Sequence, residues 1–387
     1  DKATVGHQYW DKALWIIAAD NFSRTSGDER FLKESYECAV NTMSELETLS
    51  YDSERGLFKG PSVFNDGIAG YPPEIYESNV ISSYVLDHPR SKGIYTLSSN
   101  CVYYGAYLSL ESMGRALKKG KAEISAYASK AKALKAAIIR DFYDSGSHRL
   151  IYLLDESGRR YGYQESLGTA FAVLFGIIDR DSARKVIDST VVSGYGIVSI
   201  YPDFNNFSAE RPGRHNNLIW PMTMGFFADA ATKVGNYGAF FHELDALTHL
   251  ALDEDKGNGN FREIYNPVSG KPDGGYQMLN PDVPDMHWRS CNNQVWSATA
   301  YIRMVLYGIV GMEVSYDGIS FSPYIPEGMD SLRVNRLRYR NSTIDVSFSG
   351  CGNRVKTIAL DGKRLRGREI PASLFCRQSH LIEIEME

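Results

Sequence analysis

Apolar residues recur at intervals of three to four from Tyr9 to about residue 311, which is the pattern of amphipathic helices. This periodicity predicts one helix near Tyr9, another after Asp28, and further helices over 98–117, 122–142, 164–176, 180–190, 217–234, 237–252 and 292–310. Asp28 suits a helix N-cap, Pro221 a first turn, and Gly235 the position after a last turn. This part of the chain is therefore predicted to be a succession of helical hairpins.

The pattern changes after Gly311, where apolar and polar residues alternate over short runs. Turn sequences such as Asp317-Gly318 and Asp361-Gly362 separate these runs. Alternation with frequent turns predicts a small antiparallel β-sandwich. We therefore expect a helical domain over 1–312 and a β-domain over 313–387.

The helices share no sequence repeat, so a consensus solenoid is not predicted. About nine or ten helices in hairpins, joined by long loops rich in aromatic and polar residues, favour a closed ring of helix pairs. The chain contains 25 Tyr, 17 Phe and 5 Trp. Such aromatic residues either fill a core or stack on the apolar faces of sugars while hydrogen-bonding their hydroxyls.

Charge and cysteine content exclude several function classes. Forty-two basic residues face 47 acidic ones, for a net charge of −5, so nucleic acid is not an expected partner. No run approaches the roughly 20 apolar residues that cross a bilayer, and five widely spaced cysteines encode neither a disulfide framework nor a zinc site. The first residue is Asp1 rather than Met, which favours a processed or truncated chain, and a periplasmic or secreted location is expected.

One candidate general acid lies in the loop from Gly60 to Pro72. Asp66 is its one carboxylate, among small or apolar residues. Such surroundings raise a carboxyl pKa by desolvation, as a general acid requires. The alternative is that Asp66 only forms an Asx-turn with the Gly67 region.

The candidate general base is Glu263, which precedes an Asn266-Pro267 turn able to fix its backbone. Arg262 and Tyr265 are expected to help keep it ionised. The alternative is a surface carboxylate paired with an arginine. Glu165 is a third candidate: it binds hydroxyls, acts as the acid in place of Asp66, or merely favours a helix N-terminus.

Several motifs, taken in order, resemble those of the six-hairpin (α/α)6 glycosidases. They are Trp10-Asp11, Thr25-x-Gly27-Asp28, Asp52 followed by Gly56-Leu57, Arg214-His215-Asn216 with Trp220-Pro221, Glu263-x-Tyr265-Asn266-Pro267, Gln294-x-Trp296 and Gly318-Ile319-x-Phe321-x-Pro323. The closest type is glycoside hydrolase family 63, with mannosylglycerate-hydrolase-like and debranching-type domains. One departure is Asn65-Asp66-Gly67, where family 63 has Trp-Asp-Ser-Gly character.

This resemblance implies an (α/α)6 toroid and an inverting, exo-acting glycosidase that cleaves an α-linked sugar from oligosaccharides or glycosides. It assigns Asp66 as general acid and Glu263 as general base, with no metal or other cofactor. A complete ring has six hairpins, so an N-terminal hairpin is absent from this sequence or our helix count is short.

Residue type and motif position suggest which side chains contact the sugar. The predicted substrate-binding residues are Trp10, Asp11, Phe64, Tyr71, Gln164, Glu165, Arg214, His215, Trp220, Tyr265, Trp288, Arg289 and Trp296. The sugar itself is left open. So are other chemistries on the same toroid (an α-L-rhamnosidase-like enzyme, a lyase, an epimerase or a phosphorylase) and a catalytically silent sugar-binding protein.

Overall fold

A computed structural model describes residues 2, 11–77, 79–277, 286–329, 331–376 and 378–387. Within these ranges, helices joined by loops that contain short strands extend up to Ile309. The larger β-sheets follow from Met312 onward. The α-helices are α1 Asp11–Ser26, α2 Glu29–Ser50, α3 Leu97–Ala116, α4 Lys121–Phe142, α5 Ser166–Leu174, α6 Arg180–Ser189, α7 Pro221–Val234, α8 Tyr237–Leu252 and α9 Val295–Arg303. The helical part predicted from periodicity is confirmed.

The predicted roles of Asp28, Pro221 and Gly235 at helix ends are also confirmed. The Asp28 carboxylate accepts a hydrogen bond from Phe31 N at 2.9 Å and so caps α2. Pro221 is the first residue of α7, and Gly235 ends it in the left-handed region at φ 77°. Helix α7 begins at Pro221 rather than 217 because the preceding residues are extended, with Ile219 bridged to Tyr265. Helix α9 ends earlier than predicted, at Arg303, and continues as a π-helical turn over Met304–Ile309.

The helices form two layers. The odd-numbered helices pack side by side in the order α1–α3–α5–α7–α9, and each even-numbered helix packs against the outside of this row. Helix α3 is buried along nearly its whole length, as expected of an inner helix. This is the arrangement of an (α/α)6 barrel, so the predicted fold class is confirmed.

Short strand pairs hold the loops between helices. These strands are β1 Tyr51–Asp52, β2 Leu57–Phe58, β3 Tyr95–Thr96, β4 Tyr143–Asp144, β5 Arg149–Leu150, β6 Leu153–Leu154, β7 Arg160–Tyr161, β8 Gln164–Glu165 and β9 Ile200–Tyr201. They pair antiparallel as β1–β2, β3–β6–β7, β4–β5 and β8–β9. The loops are therefore ordered by backbone hydrogen bonds and can hold side chains in fixed positions.

The C-terminal region contains two sheets. Its strands are β10 Met312–Val314, β11 Gly318–Phe321, β12 Ser331–Tyr339, β13 Ser342–Ser349, β14 Val355–Leu360, β15 Lys363–Arg364, β16 Glu369–Pro371 and β17 Ser379–Met386. The sheet orders are β10–β11–β16 and β12–β13–β17–β14–β15. Phe321 of the first sheet meets Phe348 of the second at 6.5 Å, which places an apolar layer between them.

One strand pair differs from the antiparallel expectation, because β13 and β17 run parallel. Alternation of apolar residues specifies which face is buried but not the direction of the neighbouring strand. The β-region also touches the helices directly: Tyr316 donates to Asp20 at 2.8 Å, and Arg340 N donates to Thr25 O at 2.8 Å. No helix among the described residues is both long and apolar enough to span a membrane.

Candidate active site

The loop that carries Asp66 is held from below by a buried network of hydroxyl groups. Tyr71 donates to Asn65 O at 2.7 Å and accepts from Ser62 N at 3.0 Å. Tyr152 donates to Gly70 O at 2.7 Å. Buried hydroxyls that are satisfied on several sides fix their partners' positions, so this loop presents Asp66 from a rigid base.

Phe64, two residues before Asp66, adopts a left-handed backbone conformation at φ 67°. This conformation is energetically unfavourable for a bulky residue, and strained residues of this kind are concentrated at functional sites. The Phe64 ring meets Trp220 edge-on at 4.8 Å and His215 at 5.5 Å. These contacts hold the unusual turn that leads into Asp66.

The Asp66 side chain is 54% exposed, with its Oδ1 3.4 Å from His215 Nε2. Desolvation raises its pKa, the nearby Arg214 lowers it, and Glu263 raises it. The net direction is upward, and the half-open position limits its size. Asp66 is therefore a carboxyl group that solvent and a ligand can reach and whose pKa lies above the ordinary value.

His215 beside Asp66 is buried, and burial followed by the charge of Arg214 holds its pKa well below the ordinary value. The imidazole is thus neutral, and its 3.4 Å contact with Asp66 is not an ion pair. Gln277 Nε2 lies 3.4 Å from His215 Nδ1. A Cβ atom on Gly67 would lie 2.1 Å from the Gln277 amide, so only glycine at this position lets Gln277 approach.

Glu263 lies in quite different surroundings. Its side chain is only 8% exposed, and Oε1 accepts a hydrogen bond from Arg214 Nη2 at 2.8 Å. Oε2 accepts from the backbone N–H of Cys291 at 3.3 Å. The two oxygens of this enclosed carboxylate are therefore bound by a guanidinium and by a backbone donor.

The partner of Glu263 was predicted to be Arg262, and that prediction is wrong. Arg262 instead bonds the carbonyls of Gly257 and Asn258, on the other side of the loop. Tyr265 accepts from Arg262 N at 2.8 Å and is itself buried. Neighbouring residues in an extended chain point to opposite faces, and this geometry gives the ion pair to an arginine distant in sequence.

Asp11, at the start of α1, completes a cluster of charged groups. Burial first, and then the negative charge of Asp66, raises the pKa of Asp11 to about 6. Asp66 lies 3.4 Å from His215, the neighbouring Arg214 binds Glu263, and the charge of Asp66 acts on Asp11. Residues from the start of α1, the Asp66 loop and the segments before α7 and α9 therefore meet at one place.

Aromatic rings surround this cluster. His215 stacks on Trp220 at 5.1 Å, and Trp296 meets Trp220 at 5.9 Å. The Arg214 guanidinium lies 5.0 Å from the Trp220 ring and 5.2 Å from the Trp288 ring. Trp220 is buried and its indole N–H donates to Arg214 O, whereas Trp288 and Trp296 are 38% and 40% exposed. Trp288 and Trp296 are therefore the rings of this aromatic group that a ligand can reach.

The structure separates other predicted binding residues from this cluster. Glu165 is 1% exposed, accepts from Ser98 N at 3.1 Å, and has a pKa raised to about 8 by burial. Both ends of the Gln164 amide bond the backbone of Val191. Tyr71 and Tyr265 are buried behind the two acidic loops. The side chains of Glu165, Gln164, Tyr71 and Tyr265 therefore support the residues of the site or lie away from it.

The remaining predicted residues differ in placement. Arg289 is exposed, next to Trp288 in the chain. Trp10 lies outside the described residues. Sequence reasoning missed Gln277 and the Ser290-Cys291 pair, because neither carries a motif and each is recognisable only by what it contacts. Within the described ranges, no group of three His, Cys, Asp or Glu side chains is arranged to hold a metal ion.

Comparison with known families identifies the class of protein. The family model described as mannosylglycerate hydrolase MGH1-like glycoside hydrolase domain matches residues 4–280. The chain belongs to this family, as the sequence motifs predicted. A second model, the C-terminal domain of glycosyl hydrolase family 65, matches residues 312–366.

Solved structures with the same fold include a sialidase, at 15% identity and a TM-score of 0.67 over 92% of this chain. A GH78 family rhamnosidase of Bacillus sp. GL1 has 16% identity and a TM-score of 0.55 over 87% of this chain. This chain spans only 31% and 32% of those two proteins. The GH63 mannosylglycerate hydrolase from Thermus thermophilus has 16% identity and a TM-score of 0.55, over 79% of this chain and 76% of its own. No curated protein matches in sequence.

Proposed function

We propose that this protein is an inverting, exo-acting glycoside hydrolase for an α-linked sugar, with Asp66 as general acid and Glu263 as general base. The observation that carries this proposal is the contrast between two carboxyl groups in one cluster. Asp66 is accessible and has a pKa raised by desolvation, whereas Glu263 is enclosed and paired with Arg214. Inverting glycoside hydrolysis requires one carboxyl group that donates a proton and a second that accepts one.

In the proposed reaction, Asp66 gives its proton to the glycosidic oxygen as the bond from that oxygen to the anomeric carbon breaks. Glu263 takes a proton from a water molecule whose oxygen forms the new bond on the opposite face. The leaving alcohol is neutral, and the sugar carries a new hydroxyl of inverted configuration. Inversion requires the carboxyl groups to be roughly 6.5–9.5 Å apart, leaving room for the water.

Asp66 is the better candidate acid than Glu165. An acid must reach the substrate, and Glu165 is 1% exposed while Asp66 is 54% exposed.

Trp288 and Trp296 would stack on the sugar, and Asp11, His215 and Arg289 would hydrogen-bond its hydroxyls. We further propose that residues 1–312 form the catalytic domain and 313–387 a supporting β-domain. The named relatives act on different sugars, so the sugar is not specified.

Two substitutions test the assignment. Asp66→Asn and Glu263→Gln should each lower kcat by about 10²–10⁴-fold on an aryl α-glycoside that the protein cleaves, because each removes one proton transfer. The matched controls are Asp255→Asn and Glu37→Gln, at exposed positions that are not among the residues of the cluster described above, and both should keep wild-type rates. Full hydrolysis by both site variants would exclude this assignment.

The configuration of the first-formed product tests inversion separately. Proton NMR during hydrolysis of an α-glycoside should show the β-anomer first, before mutarotation mixes the two. An α-anomer appearing first would show retention and would require a carboxylate nucleophile in place of an activated water.

A further inference from the structure

The segment before α9 crosses the loop of the candidate base and is bonded to it at several points. Ser290 Oγ accepts a hydrogen bond from Ile264 N at 2.9 Å and donates one to Ile264 O at 2.7 Å. Glu263 N donates to Cys291 O at 2.9 Å. One hydroxyl thus satisfies both backbone groups of Ile264, and a backbone bond secures Glu263 itself.

Cys291 reaches the carboxylate as well as the backbone. Its N–H donates to Glu263 Oε2 at 3.3 Å, and its thiol lies next to the same side chain. The charge of Glu263 is the main cause of the raised pKa of this thiol. The other charged groups facing Glu263 are Arg214, on Oε1, and Asp66. The two carboxylate oxygens are therefore held by different segments of the chain.

Because the two oxygens of Glu263 are held by different segments, they differ in their ability to accept a proton from water. Arg214 binds Oε1 strongly at 2.8 Å, whereas the Cys291 contact at 3.3 Å is long. A thiol is also a weaker donor than a hydroxyl. Oε2 is thus the oxygen with more free acceptor capacity, and its environment depends on Cys291.

We propose that Ser290 and Cys291 form a positioning clamp for Glu263. Ser290 fixes the backbone of the base loop, and Cys291 orients Oε2 through its backbone N–H and its adjacent thiol while leaving that oxygen able to accept a proton. Both residues act through Glu263, so both are positioning residues. This inference rests on the proposed role of Glu263 as general base.

The clamp predicts opposite effects for two substitutions of one side chain. Cys291→Ser supplies a stronger donor to Oε2, which favours the carboxylate and should move the acidic limb of the kcat–pH profile to lower pH by about half a unit. Cys291→Ala removes the donor and should move that limb to higher pH by a similar amount. Ser290→Ala should lower kcat roughly tenfold with KM within about twofold, because the loss is one of orientation.

The measurements are pH profiles and steady-state kinetics, with thermal melting to confirm that each variant is folded. Cys376→Ala, at an exposed cysteine of the C-terminal region, is the control and should leave the profile unchanged. Profiles of Cys291→Ser and Cys291→Ala that coincide, or that move in one direction, would overturn the clamp. If Glu263→Gln retains full activity, the proposed function itself fails, and this result is distinguishable from failure of the clamp alone.

Discussion

The two loops that carry Asp66 and Glu263 hold the same chemical group in opposite ways. The Asp66 loop is anchored through its backbone by buried tyrosines, and its half-exposed carboxyl group lies beside a neutral histidine. The Glu263 loop fixes the carboxylate itself, through Arg214 and Cys291. Desolvation raises the pKa of Asp66 despite the charge of Arg214, whereas Glu263 is bound directly to that guanidinium.

This comparison shows that the surroundings of each carboxyl group are set by its placement rather than by its residue type. Glu165 extends the comparison to a third carboxyl group. It is as buried as Glu263 but has one backbone donor and no cation, and among the described residues its Oε1 has no hydrogen-bond partner. Burial without a cation raises its pKa to about 8. Each of the following substitutions changes one feature that distinguishes these carboxyl groups.

The largest effect is expected from Arg214→Met, which preserves much of the side-chain length but removes the charge. Glu263 would be left buried and unpaired, which typically costs about 3–5 kcal/mol of unfolding free energy. Urea denaturation at pH 7 measures this loss. The double variant Arg214→Met/Glu263→Gln should recover part of the lost stability, because no uncompensated charge is left behind.

The control for this change is Arg30→Met, which breaks the exposed pair with Glu34. Exposed pairs contribute little, so a loss under about 1 kcal/mol is expected. Asp66→Asn should likewise change stability only slightly. The contrast drawn between the Asp66 and Glu263 loops would be wrong if Asp66→Asn destabilised the protein as much as Arg214→Met does.

The next effect concerns Glu165→Gln and the pH dependence of stability. The pKa of Glu165 is raised from 4.5 to about 8 in the folded protein, so the folded state favours the neutral form. The associated stability is fully present below about pH 4.5 and is lost as the pH rises through about 8. Because each pKa unit is worth about 1.4 kcal/mol, the wild type should lose on the order of a few kcal/mol over this window.

Glu165→Gln is neutral at every pH and should flatten that loss, whereas the exposed Glu37→Gln should not. Unfolding free energies measured by urea denaturation at pH 5 and pH 8 give the comparison directly. An unchanged slope in Glu165→Gln would show that Glu165 is not the buried titrating group described above.

The smallest effect is expected from Asp11→Asn. Asp11 and Asp66 repel each other when both are ionised, so removing the Asp11 charge should lower the pKa of Asp66. Asp66 then loses its proton at lower pH, and the alkaline limb of the kcat–pH profile should move to lower pH by a few tenths of a pH unit. A shift to higher pH would contradict this electrostatic coupling.

Local sequence patterns predicted the elements and their ends well. Helix caps at Asp28 and Gly235 depend on hydrogen bonds within a few residues, so the sequence alone is sufficient to place them. The acidic loops were also recognisable from their residues and order. The partner of Glu263 was not, because Arg214 is 49 positions away in the chain and Arg262 was the nearer candidate.

The direction of β17 beside β13, the burial of Glu165, and the contacts of Ser290 and Cys291 could not be predicted either. Each depends on which segments meet after the helices have packed. The amino-acid sequence by itself determined the helical periodicity, the change to alternating strands near Gly311, and the family to which the chain belongs. Only the tertiary structure decided which charges face each carboxyl group. Periodicity and capping act over a few residues, whereas desolvation and ion pairing depend on atoms brought together from distant parts of the chain.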